Sequence, residues 1–203
     1  MLNLLPAVSS LALKEWAVAV DAMARGKQIV VLRKGGIHKD DKEFRVVHPE
    51  FLFFPTYEHQ SPELVKPAYH DDLRRSEEDN DVGGLVSLSS FGQVTDIFQI
   101  TEPEALARIS PHHIWTDDYA EKRLHWRPKQ PLTVVLLRVH QLVQPQALPI
   151  LEEYGGCKSW VPLGQDVPLG GTTPVLSDAE YERHAEAVRR ALDGVATTVR
   201  SGV

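Results

Sequence analysis

The chain has 203 residues, of which 42% are hydrophobic, and this suits a single domain with a sizeable buried core. Its formal net charge of −6 argues against a protein that coats duplex nucleic acid by neutralising phosphates, although it leaves room for a local basic patch. No apolar stretch approaches the roughly 20 residues needed to span a bilayer, and the N-terminus lacks a basic segment, so we expect no membrane association.

Apolar residues recur at helical spacing between residues 11 and 25, and they predict an amphipathic first helix that stops at Gly26. The polar positions of this segment are Lys14, Glu15 and Asp21. We expect them to form a solvated helix face.

A short apolar run at 28–33 predicts a strand that ends in Arg33 and Lys34, with two glycines directly after it. Cations beside glycines can admit an anion, but a plain turn explains the pair better. Further apolar runs at 44–47 and 51–54 predict two more strands.

Residues 55–60 follow the strand at 51–54 directly, and site residues often gather where strands end. Tyr57, Glu58 and His59 are hydrogen-bonding and proton-transfer types. His59 is therefore a candidate for a functional role.

Residues 66–84 are highly charged and end in two glycines, so we expect a mobile insertion there. Strands are predicted at 85–88 and 93–100, joined by a hairpin-like connection. Thr101 and Thr116 are predicted to cap two short helices that follow.

The longest apolar run lies at 132–139 and predicts a central strand that is buried on both faces as far as Arg138. A polar and aromatic cluster precedes it and is a candidate site. Its members are His112, His113, Trp115, Lys122, Arg123, Trp126, Arg127 and Lys129.

Prolines and glycines dominate residues 144–174, which must be extended or looped. Within them, residues 154–160 combine a thiol, an amine and two aromatic rings in Cys157, Lys158 and the flanking Tyr154 and Trp160. Cys157 is the only cysteine, which excludes an internal disulfide and favours a reducing compartment, so we expect a cytoplasmic protein. A last helix is predicted at 178–192, capped by Ser177.

Five segments together resemble the bacterial "domain of unknown function 1802" family. They are the runs at 12–16, 26–37, 51–60, 111–116 and 154–160. The resemblance covers nearly the whole chain, but it brings no established activity, so it assigns no catalytic residues.

A looser resemblance is to the PUA-like barrels, and among them to the activating-signal-cointegrator homology domains. These domains pair a first helix with a Gly-Lys-x(n)-Arg strand and close a small barrel beside a cleft, which Gly26, Lys27 and Arg33 resemble. They usually carry a glutamate two residues before the arginine, where this chain has Val31. The resemblance therefore leaves nucleotide or RNA binding open and gives little support to an amide hydrolase.

The predicted fold is α+β, with a mixed, largely antiparallel sheet that curls toward a small PUA-like barrel and carries flanking helices. Neither βαβ alternation nor a Gly-x-Gly-x-x-Gly motif is present, which argues against a doubly wound nucleotide fold. We expect one domain over 1–203.

The first functional hypothesis is a module that binds RNA, a nucleotide or an extruded base in a cleft, with cations toward phosphates and aromatic rings on bases. The segments 55–60, 111–126 and 154–160 are predicted to converge there with the turn at 33–36. The candidate ligand-binding residues are Arg33, Lys34, Tyr57, His59, His112, His113, Trp115, Lys122, Arg123, Lys158 and Trp160.

The alternative is a hydrolase or nuclease-like enzyme that uses His59 or His112 as acid and base, with Cys157 as a candidate nucleophile beside Lys158. A partner-binding protein without a small ligand is the third possibility. We predict no metal or other cofactor. A metal site built from His48, Glu50, His59 and the pair His112 and His113 is chemically allowed, although neighbouring histidines seldom both ligate one ion. The sequence does not determine the oligomeric state.

Overall fold

The computed structural model describes residues 5–34, 48–78, 83–126, 129–156 and 158–199. Its helices are α1 (Ala17–Ala24), α2 (His70–Glu78), α3 (Pro103–Ile109), α4 (Asp117–His125) and α5 (Asp178–Leu192). Its strands are β1 (Val8–Trp16), β2 (Val30–Lys34), β3 (Glu50–Thr56), β4 (Leu85–Ile100), β5 (Leu132–Pro149), β6 (Trp160–Pro168), β7 (Thr173–Pro174) and β8 (Thr197–Thr198). The strand predicted at 44–47 and the cysteine Cys157 lie outside the described residues.

The strands form one sheet in the order β2-β5-β4-β3-β1-β6, with β7 beside β5 and β8 beside β4. β1 and β3 pair in parallel, and the other pairs in the described part of the chain are antiparallel. The edge strand β2 also approaches β1, since Arg33 Nη2 donates to the backbone oxygen of Lys14 at 2.7 Å. The predicted α+β class, with a mixed and largely antiparallel curled sheet, is confirmed.

β5 lies between β2 and β4, so the prediction of a central strand at 132–139 is confirmed. Val134, Leu136 and Leu137 are fully buried. Val134 and Leu136 lie on one face of the sheet and Leu137 lies on the other, so both faces of the strand are buried, as the continuous apolar run requires.

The prediction of a first helix over 11–25 is wrong for its first six residues, because 8–16 form β1 and the helix begins at Ala17. Ala12 and Leu13 are buried on opposite faces of this strand, and β1 pairs with β3, which lies about 40 residues further along the chain. These long-range hydrogen bonds outweigh the local helical spacing. Lys14 and Glu15 are consequently buried, which contradicts the expected solvated face.

The concave face of the curled sheet holds an apolar interior to which five strands contribute. Its side chains include Leu13, Val31, Phe51, Phe53, Val135, Leu137, Val139 and Trp160. Gly92 of β4 lies against this interior, where an added Cβ would be 2.9 Å from Cζ of Phe53. A side chain at this position would displace the ring.

Helices cover the opposite face of β2 and β5, where side chains of α1, α3, α4 and α5 pack on Val30, Leu32, Val134 and Leu136. α5 begins at a capping box, in which Ser177 and Glu180 satisfy each other's backbone amides. No helix in the described ranges is long and apolar enough to cross a membrane.

The charged segment 66–84 contains α2, which packs against α1 and buries Leu73. Asp72 of α2 binds Lys27 at 2.7 Å and also pairs with Arg75. The single-domain organisation and the mobility of this segment stay predictions.

The strands predicted at 85–88 and 93–100 are one continuous strand, β4. Its register shifts after Leu88 and after Val94, and the expected turn between two strands does not form.

Candidate ligand cleft

The parallel strands β1 and β3 end at the same edge of the sheet, where Trp16 pairs with Thr56. A cleft of about 920 Å³ opens there, bordered by α1, α2, the end of β3, the start of β4 and residues 150–155. The parallel pairing therefore brings residues that follow both strands to one place.

The lining of this cleft combines charged, aromatic and neutral polar side chains. Three cations and three acids contribute to it, namely Lys14, Arg25, Arg75, Asp21, Glu58 and Glu152. Tyr57 is half-buried, whereas the neighbouring rings of Phe54 and Tyr154 are almost fully buried. Tyr57 is thus the aromatic ring of the lining that is best placed to meet a ligand.

Lys14 fixes one wall of the cleft. Its ammonium donates to the backbone oxygens of Tyr154 and Gly156, the latter at 3.1 Å, and lies 5.7 Å from the centre of the Phe54 ring. The Tyr154 hydroxyl donates in turn to the Leu163 oxygen at 2.9 Å. Because its donors are directed to carbonyls, Lys14 holds residues 154–156 in place.

Glu15 points to the opposite face of β1 and pairs with Arg33 at 2.9 Å inside the curled sheet. Its other oxygen accepts the Trp16 amide at 2.8 Å. Burial lowers the pKa of Arg33, and the charge of Glu15 opposes that shift. Arg33 was expected to face phosphates, but the structure places it in a buried ion pair.

Arg123 of α4 lies close to this pair. It donates from Nη1 to the Tyr119 hydroxyl at 2.6 Å, and the Tyr119 ring lies 5.0 Å from that of Trp16. Burial raises the pKa of Tyr119, and the positive charge of Arg123 opposes that shift. Arg33 and Arg123 thus belong to one buried polar cluster.

His112 and His113 lie beside Lys66, whose ammonium donates to the His113 oxygen at 3.0 Å. Burial, with a contribution from Lys66, lowers the pKa of His113 to about 4. Burial also lowers the pKa of His112, aided by His184 and Lys66. Both shifts favour the neutral form of the imidazole.

The remaining predicted residues are dispersed. Trp115 and Trp160 are only 2% and 7% exposed, so neither presents a ring face to a ligand. Lys34 donates to the oxygens of Leu124 and Gln130. The other predicted residues are exposed, namely Lys122, Lys158 and His59. Lys158 donates to the Glu153 oxygen at 3.0 Å. His59 has a backbone φ of 67°.

Two of the four segments that were predicted to converge contribute residues to this cleft. Residues 55–58 and 154–155 line the cleft, whereas Arg33 and the segment 111–126 are not part of its described lining. Sequence reasoning missed Lys14, Arg25 and Arg75, since no sequence signal distinguishes them from solvated cations. In the ranges that the structure describes, no group of three or more His, Cys, Asp or Glu side chains could hold a metal ion.

Fold and cleft together define an α+β protein with a curled, largely antiparallel sheet and a ligand-sized cleft where its parallel strands end. The model of the family described as "Domain of unknown function (DUF1802)" matches residues 12–187, and the chain belongs to this family. The family prediction is confirmed.

Two solved structures of ASCH proteins from Zymomonas mobilis are similar to this chain. A mutant of ZmASCH shares 14% identity, covers 90% of this chain and 98% of its own, and has a TM-score of 0.41. An ASCH structure shares 14% identity, covers 94% and 97%, and has a TM-score of 0.39. None of the curated proteins matches the chain.

Proposed function

We propose that the chain is a binding module that receives a single base or nucleoside, free or extruded from RNA, in the cleft beside Tyr57. The observation that carries the proposal is the cleft itself, whose volume of about 920 Å³ lies within the range of small-molecule sites. Such sites combine apolar walls with a few convergent polar groups.

The side chains at this cleft suit a base. Stacking of a base on an aromatic ring contributes roughly 1–3 kcal/mol, and Tyr57 supplies such a ring. Ser87, Ser89 and Gln141 present hydroxyl and amide groups from β4 and β5, and groups of this kind hydrogen-bond the edges of an unstacked base.

The charge of the cleft lining favours binding of a single base over binding of a long RNA strand. Its three cations are balanced by three acids, and the ammonium of Lys14 is directed to backbone carbonyls. A surface that follows a polyanion needs an excess of cations along its length. We place this activity in the cytoplasm, in keeping with the single cysteine of the chain.

Calorimetric titration with the four ribonucleosides and with short single-stranded RNA tests the proposal. Tyr57→Ala should weaken binding by roughly 5- to 150-fold, because it removes a stacking contribution of roughly 1–3 kcal/mol. Trp126→Ala is the matched control, since Trp126 is an exposed aromatic residue outside the cleft lining. No binding by the wild type, or an equal loss in both variants, would exclude the proposal.

A hydrolase or nuclease-like enzyme that uses His59 is the second candidate. His59 directly follows Tyr57 and Glu58 of the cleft and has a φ of 67°, and unusual backbone conformations of this kind cluster at active sites. No hydrogen bond or ion pair in the described ranges joins His59 to His112, so the two histidines do not form a catalytic pair there.

Chromatography of short RNA and of ribonucleotides after incubation with the protein tests this candidate. His59→Gly removes the imidazole and keeps the backbone conformation accessible. Turnover should disappear in His59→Gly, and Cys157→Ala then shows whether the thiol takes part. Turnover that survives His59→Gly would exclude a catalytic role for this histidine.

A further inference from the structure

We infer that the ligand of the cleft carries a phosphate monoester that binds between Arg25 and Arg75, so that the module prefers a nucleoside monophosphate to a bare nucleoside. The inference rests on the proposed function and adds an anion subsite on the helical side of the same cleft.

Arg25 follows the last residue of α1, and Arg75 lies on α2, which packs against α1. Both residues line the cleft. Their side chains are 45% and 40% exposed, so their guanidinium groups are accessible from its open space. Two arginines from neighbouring helices thus border one end of a concave site.

The Arg25 guanidinium retains donors for a ligand. Its Nε donates to Asp21 Oδ1 at 2.9 Å, and in the described part of the chain its two Nη atoms have no partner. The planar fork of an arginine matches the oxygen atoms of a phosphate, and such charge-assisted pairs are about twice as strong as neutral hydrogen bonds.

Arg75 is held in position by the acids around it. Its Nη2 lies 3.5 Å from Asp21 Oδ2 and also pairs with Asp72. Asp72 is paired a second time, with Lys27 at 2.7 Å. Arg75 is therefore fixed at the cleft wall before any ligand arrives, which lowers the cost of ordering it on binding.

The charges of this network leave a positive excess. Three cations, Arg25, Lys27 and Arg75, face two carboxylates, Asp21 and Asp72, so one positive charge is unbalanced. This excess attracts a phosphate monoester, which carries a charge of about −1.5 to −2 at pH 7. Asp21 meanwhile disfavours binding of a highly charged polyphosphate, since its carboxylate would lie next to the added anion.

The sheet side of the cleft differs in character, because Tyr57, Ser87 and Ser89 supply an aromatic ring and hydroxyl groups there. A ligand with an aromatic base at one end and a phosphate at the other matches both sides. A mononucleotide has this composition, whereas inorganic phosphate would leave the aromatic side unused.

Calorimetry with the four ribonucleosides, their 5′-monophosphates and inorganic phosphate tests the inference on wild type and two variants. Arg25→Gln removes the charge of the more exposed arginine. Arg74→Gln is the matched control, because Arg74 neighbours Arg75 on α2, pairs with Asp71 and does not line the cleft.

The wild type should bind at least one monophosphate about tenfold or more tightly than its nucleoside. Arg25→Gln should weaken monophosphate binding several-fold more than nucleoside binding and so reduce this ratio, and Arg74→Gln should leave the ratio unchanged. Inorganic phosphate should bind more weakly than the monophosphate.

Equal affinity for nucleoside and monophosphate would overturn the inference and leave the proposed function standing. An equal loss in Arg25→Gln and Arg74→Gln would also overturn it, since it would show general electrostatic attraction. Inorganic phosphate binding as tightly as the monophosphate would identify a plain anion site instead. No binding of any of these ligands would reject both the inference and the proposed function.

Discussion

Replacing Glu15 by glutamine removes the charge that balances Arg33 inside the curled sheet. The side chains are only 9% and 7% exposed, and their nearest charged atoms lie 2.9 Å apart. At an effective dielectric constant of about 20, that separation corresponds to an attraction of about 6 kcal/mol, which desolvation partly offsets. We expect Glu15→Gln to lower the free energy of unfolding by about 3–5 kcal/mol, as when one partner of a buried pair is removed.

Glutamine keeps the shape of the side chain and an oxygen that can accept the Trp16 amide, so the variant isolates the charge. Urea denaturation followed by circular dichroism measures the effect. Asp71→Asn is the control, because its pair with Arg74 is exposed, with side-chain exposures of 85% and 72%, and should contribute under about 1 kcal/mol. A loss under about 1 kcal/mol for Glu15→Gln would show that Arg33 is solvated and would refute the buried pair.

Three further predictions concern the strand β5, one histidine and one backbone conformation. Leu136→Ala should lower the free energy of unfolding by roughly 2–5 kcal/mol in urea denaturation, since Leu136 is fully buried, and a loss under about 1 kcal/mol would contradict its central position. Because burial lowers the pKa of His113 from 6.5 to about 4, the unfolded chain binds a proton that the folded chain does not. Stability should fall by up to about 3 kcal/mol as the pH drops from 6.5 to 4, and an equal fall in urea titrations of His113→Leu would contradict this origin. His59→Val should be less stable than His59→Gly by roughly 1–3 kcal/mol, because a β-branched residue is strained at a φ of 67°, and equal thermal stabilities would show that the loop relaxes.

The parts of the fold that the sequence predicts correctly are those encoded locally. The uninterrupted run at 132–139 is sufficient to identify a buried strand, and the pair Ser177 and Glu180 identifies the start of α5. Such patterns act over one element and need no knowledge of its neighbours.

β1 shows why other parts could not be predicted. Its spacing of apolar residues suits a helix equally well, and a helix does begin at Ala17, so the local pattern is ambiguous. Residues 8–16 form a strand because they pair in parallel with β3, and sequence spacing does not encode this contact. Burial of Lys14 and Glu15 follows from that pairing, which explains why both residues were expected in solvent.

The cleft was only partly predictable for a related reason. Tyr57 could be selected because it follows a strand, and strand ends collect functional residues. Trp115 and Trp160 looked equally suitable, yet the packing of α4 and of the sheet interior buries them. Arg25 and Arg75 resemble ordinary surface cations until the packing of α1 against α2 places them beside one space.

β1 connects the stability of the sheet with the shape of the cleft. Successive residues of a strand point to opposite faces, so Lys14 reaches the wall at 154–156 while Glu15 holds Arg33 of β2. Both contacts depend on the same short backbone segment, to which Arg33 also donates at the Lys14 oxygen. A shift of β1 by one residue would exchange the two faces and abolish both contacts together. The register between β1 and β3 therefore determines both the contact of Lys14 with the cleft wall and the contact of Glu15 with Arg33 inside the curled sheet.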